Sequence, residues 1–339
     1  MLFAAFLFHA AGCASVARAH NSDKAVTRIA FGSCIDTNAH PMLERFVETP
    51  WDIAVLLGDN IYADTTNHSV MKAKYDALKE SEFWKRAREK GPVLATWDDH
   101  DFGADNSGGE YPMKRESQRL FLDFMDEPAD SIRHRREGVY DSYLFGPPGQ
   151  RVQIILLDTR YYRSNLSTGI NNVVPSGGRY IPDPDRSKTM LGEAQWAWLG
   201  EQLRVPAELR VIGSSIQIIS EFSGAEAWAN FPHEKQRLLA LLENVENVVF
   251  ISGDRHWAEL SRMDRPGQPP IYDLTSSSLT QRHGRGTPTP NAFRKGTTTY
   301  HLPNMGLILI EWKGSEPVVT LQLIDQEGIV RIQNTRQEL

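Results

Sequence analysis

Short apolar runs separated by longer amphipathic segments restrict the fold more than any other feature of this sequence. The runs contain few polar residues, which is typical of strands buried on both faces. They are Val26–Phe31, Ile53–Leu57, Pro92–Thr96, Val152–Leu157, Arg210–Ile212 and Val248–Ile251. The segments between them have helical periodicity and include Pro41–Val47, Val70–Arg88, Lys114–Phe124, Glu193–Leu203 and His233–Leu242.

Late in the chain the helical segments disappear. Four runs there have strand periodicity and are joined by turns: Ile271–Thr275, Gly306–Trp312, Pro317–Ile324 and Gly328–Gln333. The two patterns together predict an α/β fold in which two packed sheets are covered by helices. No segment has the composition of a linker, so we expect residues 25–335 to form a single domain.

The first 20 residues are typical of a signal peptide. A short apolar stretch is followed by Ala17-Arg18-Ala19, a cleavage signal directly before His20. We therefore expect a periplasmic or secreted protein. The small residues before Cys13 leave a lipoprotein signal as an alternative, and membrane association would then depend on a lipid at Cys13. No apolar run reaches about 18 residues, so no transmembrane helix is predicted.

Cysteine content and net charge exclude two further classes of protein. Without the leader, Cys34 is the one remaining cysteine, which excludes a disulfide framework. The 37 basic and 43 acidic residues give a net charge of −6. A protein that holds nucleic acid through its phosphate backbone is normally basic, so an obligate nucleic-acid partner is not expected.

Chemically active side chains follow five of the predicted strands. In α/β sheets ligands bind beyond the carboxyl ends of the strands, so these side chains are expected to meet at one site. They are Cys34, then Asp59, Asn60 and Tyr62, then Asp98, Asp99, His100 and Asp101, then Asp158 and Arg160, and finally Asp254 and His256.

The donor types in this set indicate a metal site. A thiolate and a phenolate beside carboxylates suit trivalent iron better than zinc or magnesium, and a single cysteine argues against structural zinc. The remaining oxygen ligands suit calcium, magnesium or manganese. Each residue also has an ordinary structural interpretation, as a buried thiol, a packed ring or a turn carboxylate. Their conjunction at successive strand ends favours the metal site.

Six segments of the chain carry motifs. They are FGSC (Phe31–Cys34), GDNIY (Gly58–Tyr62), WDDHD (Trp97–Asp101), LDTRYYR (Leu157–Arg163), LGEAQWAWLGEQL (Leu191–Leu203) and SGDRHWAEL (Ser252–Leu260). Together these segments resemble the PhoD-like (alkaline phosphatase D) family of metallophosphoesterases, and they occur in the expected order over most of the chain. The resemblance implies a four-layer αββα sandwich with two mixed sheets, and it implies a phosphoric ester hydrolase.

The family layout, which is similar to that of purple acid phosphatases, also implies roles for individual residues. An Fe(III) would be bound by Cys34, Asp59, Tyr62 and His256, with Asp59 bridging to a second ion. That ion would be divalent and bound by Asp99 and Asp254. Calcium is frequent there, and Mg²⁺, Mn²⁺ and Zn²⁺ remain alternatives. The residues with further possible metal or substrate contacts are Gln217, Asn60 and Asp158.

The expected reaction is attack of a metal-bound hydroxide on phosphorus, in line with the ester oxygen. By the same resemblance His100 would protonate the leaving group and Arg160 would hold a phosphate oxygen. Asp98 or Asp101 would orient the imidazole.

Three alternatives stay open. A phospholipase or another phosphodiesterase would use the basic loop Arg282–Lys295 and the aromatic loop Tyr161–Tyr180 to bind a bulky diester. An exported metal- or phosphate-binding protein without turnover would have no use for His100 as a proton donor. A structural protein with acidic loops, a third interpretation, predicts that the side chains do not converge.

Overall fold

A computed structural model gives the fold of the chain. It describes residues 18–19, 23–171, 178–222, 224–283, 289–296 and 299–336. The predicted leader, including Cys13, lies outside these residues except for Arg18–Ala19, which form a two-residue strand. No helix among the described residues is both long and apolar enough to cross a membrane.

Two large mixed sheets and a small hairpin contain the strands of the described chain. The strands are β1 (Arg18–Ala19), β2 (Arg28–Gly32), β3 (Ile53–Leu57), β4 (Val93–Thr96), β5 (Asp141–Phe145), β6 (Val152–Leu156), β7 (Thr168–Asn171), β8 (Gly178–Tyr180), β9 (Leu209–Ser214), β10 (Val248–Ser252), β11 (Ala258–Arg265), β12 (Gln268–Ser276), β13 (Asn304–Lys313), β14 (Glu316–Asp325) and β15 (Val330–Arg336).

The seven-stranded sheet has the order β1-β5-β6-β9-β10-β12-β11, and the six-stranded sheet has the order β15-β14-β13-β2-β3-β4. Strands β2, β3 and β4 run parallel, as do β6, β9, β10 and β12. The later strands β13 to β15 are antiparallel, as their turn-linked pattern predicts. Strands β7 and β8 form the separate hairpin.

The α-helices lie on the outer faces of the two sheets. They are α1 (Pro41–Glu48), α2 (His68–Glu80), α3 (Glu82–Lys90), α4 (Asp99–Phe102), α5 (Lys114–Phe124), α6 (Gly192–Gln202) and α7 (Pro232–Leu241).

Successive residues of each central strand are buried on opposite faces of its sheet, and this alternation explains the layers. Val55 and Leu57 of β3 pack between the sheets, together with Ile154 of β6 and Val249 of β10. Leu56 points to the other face, where helices α1 to α5 cover the six-stranded sheet. Helices α6 and α7 cover the outer face of the seven-stranded sheet in a third cluster. The α/β prediction, with two packed mixed sheets and helices outside, is therefore confirmed.

Several details of the secondary structure differ from the sequence-based expectation. The helix expected over Val70–Arg88 is divided at Ser81, whose backbone is extended and whose hydroxyl accepts a hydrogen bond from the Trp84 amide. The hairpin of β7 and β8 lies in the segment expected to be a loop, Tyr161–Tyr180. Strands β5 and β11 were not predicted either. They pair antiparallel with the sheet, and their sequences, DSYLF and AELSRMDR, contain too many polar residues for the apolar-run criterion.

Candidate metal centre

Donor side chains from four strand ends converge beyond the carboxyl ends of β2, β3, β4 and β10. The Cys34 thiol lies 3.5 Å from Asp59 Oδ2. The Tyr62 hydroxyl lies 3.1 Å from the same oxygen and 3.0 Å from His256 Nε2. Residues that are up to 222 positions apart in the sequence thus share one small site. Strands β2, β3 and β4 are parallel and end at one edge of the six-stranded sheet, and β10 ends beside them in the seven-stranded sheet packed against it.

Within the described residues, three groups place their donor atoms within 4.8 Å of one another. The groups are Cys34, Asp59 and His256, then Asp59, Asp99 and His100, and then Asp98, Asp99 and Asp254. Asp59 belongs to two of the groups, and so does Asp99. This chain of overlapping groups has the form required for neighbouring cations that share a carboxylate.

The local backbone is strained at the donor residues. Cys34, Asp59, Asp254 and His256 all have left-handed backbone angles, with φ between 49° and 69°. Such conformations cost roughly 1–3 kcal/mol for residues other than glycine and cluster at functional sites. Gly58 has a φ of 102°, and a Cβ there would lie 2.4 Å from Asp98 Cβ, so only glycine fits.

Burial and like charge make the ionised forms of the clustered carboxylates unfavourable. Burial raises the pKa of Asp59 well above its usual value, and the neighbouring Asp99 and Asp98 raise it further. Burial likewise raises the pKa of Asp254 to about 7 and that of the Cys34 thiol well above normal. Burial also raises the pKa of Asp99, but Arg160 and His100 outweigh it and lower that pKa overall. Bound cations would reverse the upward shifts.

Three buried oxygen atoms at the site have no hydrogen-bond partner among the described residues, namely Asp59 Oδ1, Asn60 Oδ1 and Asp98 Oδ2. A buried acceptor without a donor is costly, and a cation is one group that satisfies it. The amide nitrogen of Asn60 donates to Thr96 O and Asp101 Oδ2, which fixes its side chain. The donor set therefore fits a metal centre, with Asn60 among the oxygens that point to it.

His100 lies beside this donor set. Its Nδ1 is 2.7 Å from Asp64 Oδ1, and its ring lies 4.3 Å from the Tyr62 ring, centroid to centroid. Burial lowers the pKa of His100, but Asp99 and Asp64 outweigh it, and the net shift is upward. The imidazole is thus oriented and favoured in its protonated form next to the donors.

The comparison with known proteins agrees with this geometry. The sequence profile of the PhoD-like phosphatases matches residues 29–339. The chain belongs to the PhoD-like phosphatase family. It is thus a metal-dependent phosphoric ester hydrolase, and its substrate is a phosphate ester.

Solved structures support the fold of this PhoD-like phosphatase. A structure titled "Structure of PhoD" has 17% sequence identity and a TM-score of 0.68, and the match covers 94% of this chain and 73% of that one. A second, titled "GAP50 the anchor in the inner membrane complex of Plasmodium", has 14% identity and a TM-score of 0.60, with 92% and 88% covered. No curated protein sequence gives a significant match to the chain.

Arg160 of the phosphatase is placed differently from the prediction that it holds a substrate oxygen. Its side chain is 0% exposed, its Nε donates to Asp98 Oδ1 at 2.6 Å, and its Nη1 lies 2.5 Å from Glu226 Oε2. A fully buried guanidinium between two carboxylates has no opening to a substrate. Arg160 instead neutralises Asp98 beneath the donor groups.

The prediction that Asp98 or Asp101 orients His100 is also corrected by the structure. Asp98 accepts from Arg160 and from the Ser215 hydroxyl, 2.5 Å away. Asp101 accepts from the Asp98 amide at 2.6 Å and from Asn60, so it organises the loop that carries the donors. Asp64, two residues beyond Tyr62, orients the imidazole instead.

Asp158 and Gln217 are held by neighbouring protein groups. The Asp158 carboxylate accepts from the backbone amides of Val139, Arg160 and Tyr161, which accounts for both of its oxygens without a metal or a substrate. The buried Gln217 donates its amide to Glu259 Oε1 and Thr275 Oγ1.

Sequence reasoning missed three residues that shape the site. Glu226 contacts Arg160, Asp64 contacts His100, and Ser277 accepts from the His256 amide at 2.7 Å and lies 3.4 Å from the Cys34 sulfur. Asp64 lies two residues beyond the GDNIY motif, and this position could have identified it as a residue of the site. Glu226 and Ser277 lie in loops without any such motif.

Proposed function

We propose that this phosphatase is an exported enzyme whose catalytic domain, residues 25–335, hydrolyses phosphate esters at a centre of two different cations. The first would be Fe(III), because a thiolate and a phenolate are donors that trivalent iron prefers. The second would be divalent, with Ca²⁺ as the first choice. The proposed iron ligands are Cys34, Asp59, Tyr62 and His256, and those of the divalent ion are Asp59, Asp99 and Asp254.

The sharing of Asp59 between two donor groups is the observation that carries this proposal. Its Oδ2 contacts the thiol and the phenol, whereas its Oδ1 is buried and has no hydrogen-bond partner in the described part of the chain. If two cations were bound, Asp59 would be the carboxylate placed to contact both. The buried Asn60 Oδ1 supplies a further unused oxygen for the same centre.

Bound cations of this kind supply Lewis-acid polarisation of phosphate oxygens and lower the pKa of a water molecule. The protein's own contribution to bond cleavage would be His100. Asp64 holds Nδ1 and stabilises the imidazolium, which leaves Nε2 as the atom that gives its proton to the departing alkoxide. General acid catalysis of this type contributes roughly 10²–10⁴-fold in rate.

Hydrolysis of 4-nitrophenyl phosphate before and after chelation tests the proposal, with Asp59→Asn and Asp254→Asn as site variants. We expect chelation to abolish turnover, added metal to restore it in the wild type, and neither variant to recover. Asp123→Asn is the matched control, because Asp123 is exposed and its ion pair is with Arg119. Full activity of both site variants would contradict the proposal. Metal binding without hydrolysis of any ester would favour the binding-protein alternative.

Aromatic side chains beside the centre favour a diester with a bulky group. The Trp257 ring lies 5.0 Å from that of His283 and 5.9 Å from that of His301, and the two imidazoles are 5.3 Å apart. The Trp257 ring is buried, whereas His283 and His301 are partly exposed, so the two imidazoles are the rings that an alcohol group of the substrate would contact. Turnover of bis(4-nitrophenyl) phosphate faster than of the monoester would support a phosphodiesterase, and the reverse order would support a monoesterase.

Export is the part of the proposal that depends on residues 1–20. Cleavage after Ala19 would leave His20 as the new N-terminus, whereas lipidation would leave Cys13 there. N-terminal sequencing of protein recovered from the periplasm or medium distinguishes the two. An uncleaved chain retained inside the cell would contradict export.

A further inference from the structure

Arg255 is a cation at the centre that the proposed mechanism does not use. It lies between Asp254 and His256, and both neighbours have left-handed backbone angles. The Arg255 amide donates to Gly253 O at 2.9 Å, so this turn is tight. The Arg255 side chain is 10% exposed, whereas the side chain of Arg160 is 0% exposed.

Two aromatic rings hold the Arg255 guanidinium in place. Its central carbon lies 4.2 Å from the centroid of a Trp257 ring and 5.4 Å from that of Phe222. Cation–π contacts stabilise the charge without using the N–H groups as directed donors. The side chain is therefore fixed while most of its hydrogen-bonding capacity stays available.

The donors of Arg255 are poorly used by the protein. Its Nε is buried and has no hydrogen-bond partner among the described residues. The one carboxylate within 4.0 Å of its guanidinium, in the described part of the chain, belongs to Asp254, whose Oδ2 lies 3.7 Å from Nη1. Asp254 is also a candidate metal ligand, so a bound cation would compete for that oxygen.

The other arginines beneath the site pair closely with a carboxylate. Arg160 lies 2.5 Å from Glu226 Oε2, and Arg163 lies 3.0 Å from Glu226 Oε1. Both side chains are fully buried, and one carboxylate bridges them. The short segment that carries Glu226 also carries Phe222, so it neutralises two arginines and supports the third.

We propose that Arg255 binds a non-bridging oxygen of the substrate phosphate group at the metal centre, the role that the sequence assigned to Arg160. The inference rests on the proposed function, because it places a phosphate ester at the same centre. Guanidinium and phosphate are matched in charge and geometry, and a planar fork of N–H donors can bind two oxygens at once.

Calorimetric titration of the metal-loaded protein with inorganic phosphate tests this role directly. A hydrogen bond to a charged group predicts that Arg255→Met weakens phosphate binding by roughly 10- to 100-fold, and that it lowers kcat/KM for 4-nitrophenyl phosphate similarly. Arg255→Lys keeps the charge but not the fork, so its loss should be smaller. Arg119→Met, an exposed arginine on α5, is the control and should match the wild type. Arg255→Met with wild-type phosphate affinity would overturn the inference.

The two proposals can fail separately. If the wild type hydrolyses esters and Arg255→Met does so equally well, the role of Arg255 is wrong and the hydrolase stands. If the wild type hydrolyses no ester, the proposed function fails, and the phosphate titration still decides whether Arg255 binds the anion. If Arg255→Met does not fold, Arg255→Lys and Phe222→Leu replace it. Wild-type phosphate affinity in both would then overturn the inference.

Discussion

Replacing Asp64 by asparagine tests the assignment of the proton donor. The change keeps the size of the side chain but removes the charge that lies 2.7 Å from His100 Nδ1. The imidazolium then loses a stabilising partner, and the pKa of His100 falls. Because the protonated ring is the active form, the fraction of competent enzyme at alkaline pH falls as well.

The expected size of the effect follows from the exposure of the pair. A hydrogen bond to a charged group contributes about 1.5–3 kcal/mol when it is protected from water. The Asp64 side chain is 42% exposed, and solvent screening reduces the contribution to about 1 kcal/mol. That energy corresponds to about fivefold in rate, whereas His100→Ala should cost roughly 10²–10⁴-fold with a poor leaving group.

The assay compares kcat/KM for an alkyl phosphate and for 4-nitrophenyl phosphate. Nitrophenolate leaves without a proton, so Asp64→Asn should slow the alkyl ester and leave the nitrophenyl ester nearly unchanged. The alkaline limb of the pH profile for the alkyl ester should move to lower pH. Equal losses on both esters, or no loss on the alkyl ester, would refute the role of the pair.

Three further predictions concern the centre and its support. Tyr62→Phe should remove the violet or pink charge-transfer absorption of iron-loaded protein, and an unchanged visible spectrum would exclude a phenolate ligand. The melting temperature of metal-free protein should fall as pH rises from 5 to 8. Burial raises the pKa of Asp254 and Asp101 to about 7 in the folded state, whereas their unfolded pKa is 3.8, so the unfolded state loses these protons first. A rising melting temperature would contradict this. Glu226→Gln should lower the free energy of unfolding by about 3–5 kcal/mol, because two buried arginines lose their shared carboxylate. Denaturant-induced unfolding measures this loss, and a loss of less than about 0.5 kcal/mol would contradict the prediction.

The layered fold could be predicted because its central strands are buried on both faces. An apolar run such as Ile53–Leu57 is hydrophobic at every position, and this pattern can be recognised without the tertiary structure. Edge strands such as Ala258–Arg265 keep one side polar, so the same criterion misses them. The division of the long helix at Ser81 is a capping effect, and helical periodicity does not show it.

The donor groups could be predicted because each follows a strand, and strand direction brings their positions together. Their hydrogen-bond partners could not, because these depend on how the loops pack. Arg160 lies in the LDTRYYR motif, yet Glu226 from a distant loop pairs with it and helps to bury it. Arg255 lies in the SGDRHWAEL motif between two predicted ligands, and the rings of Trp257 and Phe222 hold its guanidinium in place.

Metal analysis and hydrolysis measured on one sample of purified protein test the central assignment most directly. The account predicts two bound metal ions per chain, one of them iron, and ester hydrolysis that disappears with the metals and returns when they are restored. Undiminished hydrolysis by protein from which every metal ion has been removed would contradict this assignment.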